Sequence, residues 1–201
     1  MIRASKVSKN IKNIEDLCIG VQGDYIYINK AAWHIEIKRE NISKQLKNKI
    51  DSFFPNCPFE DGKAYVTTRA KGEYMEGYNN IQSMLDTIGR LKSYDKEGTV
   101  ERTGLSWTSD KSCMEIFTND EVENFIYINK EFTEMIDWEA NFTATGYGEF
   151  GPIVLKSTEE RALLMPIRVP EPNKFLRKPG EIEWDKERIE SKMEPDLAIP
   201  F

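Results

Sequence analysis

Hydrophobic spacing changes character several times along the chain. In residues 5–16, "SKVSKNIKNIED", Val7, Ile11 and Ile14 recur at helical spacing, with Lys6, Lys9 and Lys12 on another stripe. This predicts a short amphipathic helix with one basic side. "LCIGVQGDYIYIN" predicts two strands around a tight Gln22-Gly23-Asp24 turn, and the alternation in "WHIEIKR" predicts a third. Helical spacing returns in "NISKQLKNKI", with Ile42, Leu46 and Ile50 inward and Lys44, Lys47 and Lys49 outward.

Prolines make "FFPNCPFEDG" a loop, and "KAYVTTRA" follows as a strand. The middle of the chain carries its best helix, "YNNIQSMLDTIGRLK". Ile81, Met84, Leu85 and Ile88 form the stripe, Asn79 or Asn80 is the cap, and Arg90 and Lys92 close it. "TGLSWTSDKSCMEIFT" predicts a hairpin turning at Asp110-Lys111, "NFIYIN" a strand, and "KEFTEMIDW" a helix of about two turns. Three strands are expected in "NFTATGYGEFGPIVLKSTEERALLMPIRV". Pro170, Pro172 and Pro179 then mark a linker before "GEIEWDKERIESKM", an acidic amphipathic stretch. The pattern is that of a strand-rich α+β body with an acidic tail.

Composition adds that the chain folds: 39% of its 201 residues are hydrophobic and 11% aromatic. A net charge of −6 argues against nucleic-acid binding by overall positive charge, while leaving room for one basic face. Cys18, Cys57 and Cys113 are an odd, widely spaced set without C-x-x-C, which fits neither a disulfide framework nor a zinc ribbon and suits reducing cytoplasm. No apolar run follows the basic start "MIRASKVSKN", and none elsewhere reaches membrane-spanning length, so neither export nor embedding is expected. The sequons at Asn41 and Asn141 are then chance matches.

Chemical motifs are sparse. Gly146, Gly148 and Gly151 satisfy G-x-G-x-x-G, but Pro152 and "IVLK" open a strand where a dinucleotide site requires a helix, so a glycine-rich hairpin is expected. His34, the only histidine, lies in an alternating strand without a nucleophile signature and reads as a sheet histidine. The scattered acids offer no metal set. The expectation is a protein without enzyme activity, cofactor or metal. "YIYINK" at 25–30 and "FIYINK" at 125–130 read as two similar strands rather than a duplication, because a strand follows the first and a helix the second. Positive charge is more suggestive. Lys9, Lys12, Lys44, Lys47, Lys49, Arg90 and Lys92 lie on three predicted helices, and aligned on one side they would face phosphate. Unaligned, they are ordinary solvated faces.

The stretch from "NFIYINKEF" to "LLMPIRV" resembles the closing half-domain of DNA sliding clamps: a strand, a short helix and three strands ending on Met165-Pro166-Ile167-Arg168, like the Met-Pro-x-Arg of bacterial members. The beginning is similar to phage-type clamps, with a short helix before a glycine-turn hairpin. The resemblance implies clamp-like repeats of sheet with short helices on one face, in halves 1–75 and 76–170 followed by a tail, 171–201. It implies a DNA polymerase processivity factor that encircles DNA as a homo-oligomer and meets a polymerase or clamp loader. Met165, Pro166, Ile167, Arg168 and Val169 would border the pocket that receives partner peptides, or form a plain buried edge strand.

The tail closes on "MEPDLAIPF", which is similar to the ends of bacterial single-stranded DNA-binding proteins. Asp196, Leu197, Ile199, Pro200 and Phe201 are candidates for docking on a partner, or for folding back onto the core. Two further readings follow. One is a single-stranded DNA-binding protein with an oligonucleotide-binding barrel, using Trp33, Trp107, Trp138 and the tyrosines as stacking platforms and recruiting partners through the Ile199-Pro200-Phe201 tip. The other is an interaction protein that captures host replication factors. The location expected is the cytoplasm, a host's if the chain is viral.

Overall fold

The computed structural model describes residues 1–11, 17–30, 32–67, 74–76, 97–108, 112–148 and 151–167. Helix α1 (Ala4–Asn10) precedes an antiparallel meander of β1 (Cys18–Gln22), β2 (Tyr25–Lys30) and β3 (Trp33–Lys38). The β1–β2 turn places Gly23 at φ +56°, a conformation a side chain would strain, and its N–H donates to Asp61 Oδ1 at 2.7 Å. A 3-10 turn (Arg39–Asn41) leads into α2 (Lys44–Phe53). Ser43 caps that helix by accepting from the Leu46 N–H at 3.2 Å. Strands β4 (Ala64–Thr67) and β5 (Tyr74–Glu76) extend the sheet beyond β1.

The second group begins with β6 (Glu97–Thr108), β7 (Cys113–Asn119) and β8 (Val122–Asn129). After α3 (Lys130–Thr133) comes another meander, β9 (Thr143–Tyr147), β10 (Ile153–Lys156) and β11 (Glu160–Leu164). All eleven strands pair in the order β5-β4-β1-β2-β3-β11-β10-β9-β6-β7-β8. The fold is therefore mostly β, a large antiparallel sheet with few short helices among the described residues. The two meanders meet where β3 pairs antiparallel with β11, Trp33 opposite Leu164 and Ile35 opposite Ala162.

Alternation assigns the two faces of this sheet. Ile26, Ile28, Trp33, Ile35, Ile37, Ile153, Leu155, Ala162 and Leu164 join one buried cluster with Val7, Ile11, Leu46, Ile50 and Phe53. Phe132 of α3 packs on the same cluster. Helices α1, α2 and α3 thus cover one face, each apolar side chain so buried stabilising the fold by about 1.5–3 kcal/mol. Residues of the other phase, Tyr147, Val154 and Leu163, form a separate cluster on the opposite face.

Several expectations need adjusting. The helix expected over residues 130–138 is one turn long. The backbone beyond it is taken by the first residues of the chain, because Arg3 N–H donates to the Met135 carbonyl at 2.7 Å and Asp137 N–H to the Met1 carbonyl at 2.7 Å. Ile2 and Ile136 pair there as an isolated bridge, and Trp138 Nε1–H donates to the Thr133 carbonyl at 2.9 Å. β5 has no counterpart in the expected elements. β6 starts well before residue 103 and carries a register shift between Arg102 and Ser106. The helix expected over 78–92, the turn at 110–111, the linker and the acidic tail lie outside the described residues.

On the face away from the helices, the seam between β3 and β11 holds a charged group. Arg161 Nη1 donates to Glu36 Oε2 at 3.0 Å, and Glu36 is only 2% exposed. Losing Arg161 leaves the buried Glu36 carboxylate beside His34, whose Nε2 is 3.4 Å from Glu36 Oε1, but without the guanidinium, at a cost of up to about 3–5 kcal/mol. Arg161→Met is expected to lose stability in that range in urea unfolding. Glu36→Gln added to it restores much of the loss, because the carboxylate that lost its guanidinium is then gone.

Candidate functional site

Burial of the apolar stripes decides where the helical charges go. Val7 is fully buried, which leaves Lys9 exposed on α1, and inward Leu46 and Ile50 leave Lys44 and Lys47 exposed on α2. The Lys49 ammonium lies 5.0 Å from the Phe53 ring centroid, half-buried at the flank. In all, α1, α2 and α3 carry Lys6, Lys9, Lys44, Lys47, Lys49 and Lys130 against only Asp51 and Glu131. A chain of net charge −6 therefore presents a net basic helix layer. Of the residues expected to face phosphate, Lys9, Lys44, Lys47 and Lys49 lie on this one layer; Lys12, Arg90 and Lys92 lie outside the described residues.

Some of these cations are held. Lys6 Nζ meets Glu134 Oε2 at 2.5 Å, Arg3 meets Asp137 at 2.8 Å, and Lys47 meets Asp51 at 2.7 Å. Lys9 and Lys44 make no ion pair with a described residue. The Lys47–Asp51 pair, four residues apart on one helix, was open to sequence reasoning. The Lys6–Glu134 and Arg3–Asp137 pairs were not, because only folding brings α1 against the segment after α3. Lys6 stands on the expected basic stripe, whereas Lys130 carried no signal of its own.

A second surface follows β11. The Met165 N–H donates to the Ala32 carbonyl at 3.0 Å, and the Ile167 N–H donates to the Tyr127 carbonyl at 2.8 Å. This segment therefore runs from the seam to the last strand of the sheet order. Ile167 packs on Met114, Ile116, Phe125 and Tyr127 beside Trp107, whereas Met165 is 38% exposed and Pro166 half-buried. The segment is part edge contact and part exposed apolar surface. Arg168, Val169, Asp196, Leu197, Ile199, Pro200 and Phe201 lie outside the described residues.

Aromatic rings are mostly committed to packing. Trp33 is 2% exposed, and Trp138 packs against Phe117 and Phe142 with centroids at 5.2 and 5.7 Å. Trp107 is half-buried beside Met114 and Ile116. A row of free stacking platforms is not formed by these three residues.

The other motifs resolve into structure. His34 is the expected sheet histidine, stacked on Tyr27 at 5.8 Å with Nε2 3.4 Å from Glu36 Oε1. Gly146 lies in β9 and Gly148 turns the chain at φ +75° before β10, so the glycine motif serves a hairpin. Burial pushes the Cys18 thiol up to about 11 and raises Cys57 as well, the direction opposite to that of an activated nucleophile. Among the described residues, no three His, Cys, Asp or Glu side chains gather as metal ligands would, and no helix is long and apolar enough to cross a membrane.

No family model, curated protein or solved structure matches this chain.

The hydrogen bond from Lys6 holds the Glu134 carboxyl below its ordinary value of 4.5, and the bond from Arg3 holds Asp137 below its ordinary 3.8. A carboxylate lowered in this way stabilises the fold above its unfolded value and loses that contribution as pH falls through the lowered one. Urea unfolding of the protein and of Lys6→Met at a series of pH values tests this. The two midpoints are expected to differ most near neutral pH and to converge as the pH falls below the ordinary carboxylate value of 4.5 and the carboxylate is protonated.

Proposed function

We propose that this protein is a clamp-like DNA polymerase processivity factor, acting in the cytoplasm without covalent chemistry, that encircles duplex DNA as a ring of several copies. The observation that carries the reading is the layer of short helices on one face of a continuous antiparallel sheet, with lysines outward in an otherwise acidic chain. Lysine is a flexible point charge suited to phosphate and indifferent to base sequence. Such contacts hold a duplex loosely enough to move along it, and retention then comes from enclosure. Two three-stranded meanders joined edge to edge through β3 and β11, each preceded by a helix on the same face, support a reading in repeats. β5 and β8 end the sheet order, with Ile167 already taking the Tyr127 carbonyl of β8, and edge pairing between copies is a way to close a ring. On this reading, the exposed part of Met165–Ile167 is where a polymerase or loader docks.

Mass measurement across concentration, followed by loading onto nicked circular DNA, tests the proposal. A defined oligomer that stays on the circle and leaves when the DNA is linearised is expected. A monomer at every concentration, or retention indifferent to linearisation, overturns it. Strong quenching of tryptophan fluorescence by oligo-dT would favour the single-stranded reading instead.

A further inference from the structure

The cations of the helix layer are of two kinds. Lys9 and Lys44 are exposed without an ion pair among the described residues, while Lys6 and Lys47 are each held by a carboxylate. Neither held pair is buried: the side chains of Lys6 and Glu134 are 35% and 41% exposed, and those of Lys47 and Asp51 62% and 44%. A phosphate in solution therefore reaches the same ammonium groups that the carboxylates occupy. The competitors also sit on different supports. Asp51 lies four residues along α2 from Lys47, whereas Glu134 is held at the end of α3 by its N–H to the Lys130 carbonyl at 2.9 Å.

We infer that Glu134 and Asp51 are built-in competitors for phosphate, which keep part of the basic layer in reserve and set how tightly it holds a polyanion. The inference rests on the reading of the helix layer as DNA-facing. Its physical basis is counterion release. A free lysine that binds phosphate displaces condensed cations from the DNA and contributes nearly a full unit to the salt dependence. A lysine already neutralised by a neighbouring carboxylate must first give up that partner, which then stays nearby as a repelling charge. The exchange adds little to affinity, so paired lysines weaken the grip without reducing the number of cations on the layer. A surface that must hold DNA and still move along it gains from this arrangement.

Fluorescence anisotropy with a short labelled duplex, titrated between 50 and 200 mM salt, tests it with the full-length protein. Glu134→Gln and Asp51→Asn are each expected to steepen the slope of log affinity against log salt by about 1. Each gain in affinity should be about 3-fold larger at 50 mM than at 200 mM. Lys6→Gln added to Glu134→Gln is expected to return the slope to its original value, because the freed cation is then absent. Unchanged slopes in both amide variants overturn the inference alone, if Lys9→Ala and Lys44→Ala weaken binding. If those two variants leave binding unchanged, or the unaltered protein binds no duplex at low salt, the DNA-facing reading falls and this inference falls with it.

Discussion

The antiparallel pairing of β3 with β11 is the constraint on which the rest of the structure depends. It turns two separate meanders into one sheet, and its register decides which side chains meet the helices. Strand side chains alternate, so a slip of one residue would exchange Trp33 and Ile35 for His34 and Glu36 on the helix-covered face. That exchange would bury a carboxylate among Val7, Leu46 and Ile50 and expose the large apolar residues in its place. The Glu36–Arg161 pair on the far face works in the same direction, because it forms only when Arg161 stands opposite Glu36. Hydrophobic burial on one face and ion pairing on the other therefore specify one alignment.

Once the sheet is continuous, the helices have one place to put their apolar stripes. Val7 and Ile11 of the α1 region and Leu46, Ile50 and Phe53 of α2 enter the same core, and their lysines are carried outward together. The basic layer is a consequence of packing: the charge segregates because the apolar stripes share a face. The N-terminal residues tie this layer to the second group of strands through Ile2, Arg3 and Lys6, which bridge to Ile136, Asp137 and Glu134. Those ties also introduce the carboxylates that partly neutralise the layer. Stability of the helix layer and strength of its electrostatic field thus draw on the same ion pairs and pull in opposite directions.

Legibility in the sequence followed the range of the interactions. The meander over β1 to β3 was readable because alternation and a glycine turn are local, and α2 because Leu46 and Ile50 share one stripe. The glycine motif near residue 148 was readable as a hairpin from the strand residues beside it. The short length of α3 was not, since its periodic residues continue to Trp138 and the helix stops because residues 1–3 occupy the following backbone. β5 was not either, since Tyr74–Glu76 is too short to show a period. For the candidate site, the individual lysines were legible, while the carboxylates facing Lys6 and Arg3 come from more than 120 residues away and left no mark.

The sequence by itself determined the strand-rich class, the positions of most strands and the polarity of α2. Each of these depends on neighbours within a few positions, where backbone preference and side-chain period act directly. Only the tertiary structure decided that β3 meets β11, that α1, α2 and α3 share one face, and that Glu134 and Asp137 restrain the cations of the N-terminal helix region. Those outcomes depend on contacts between distant segments, and the register that joins them both buries the apolar phase of β3 under the helices and pairs Glu36 with Arg161.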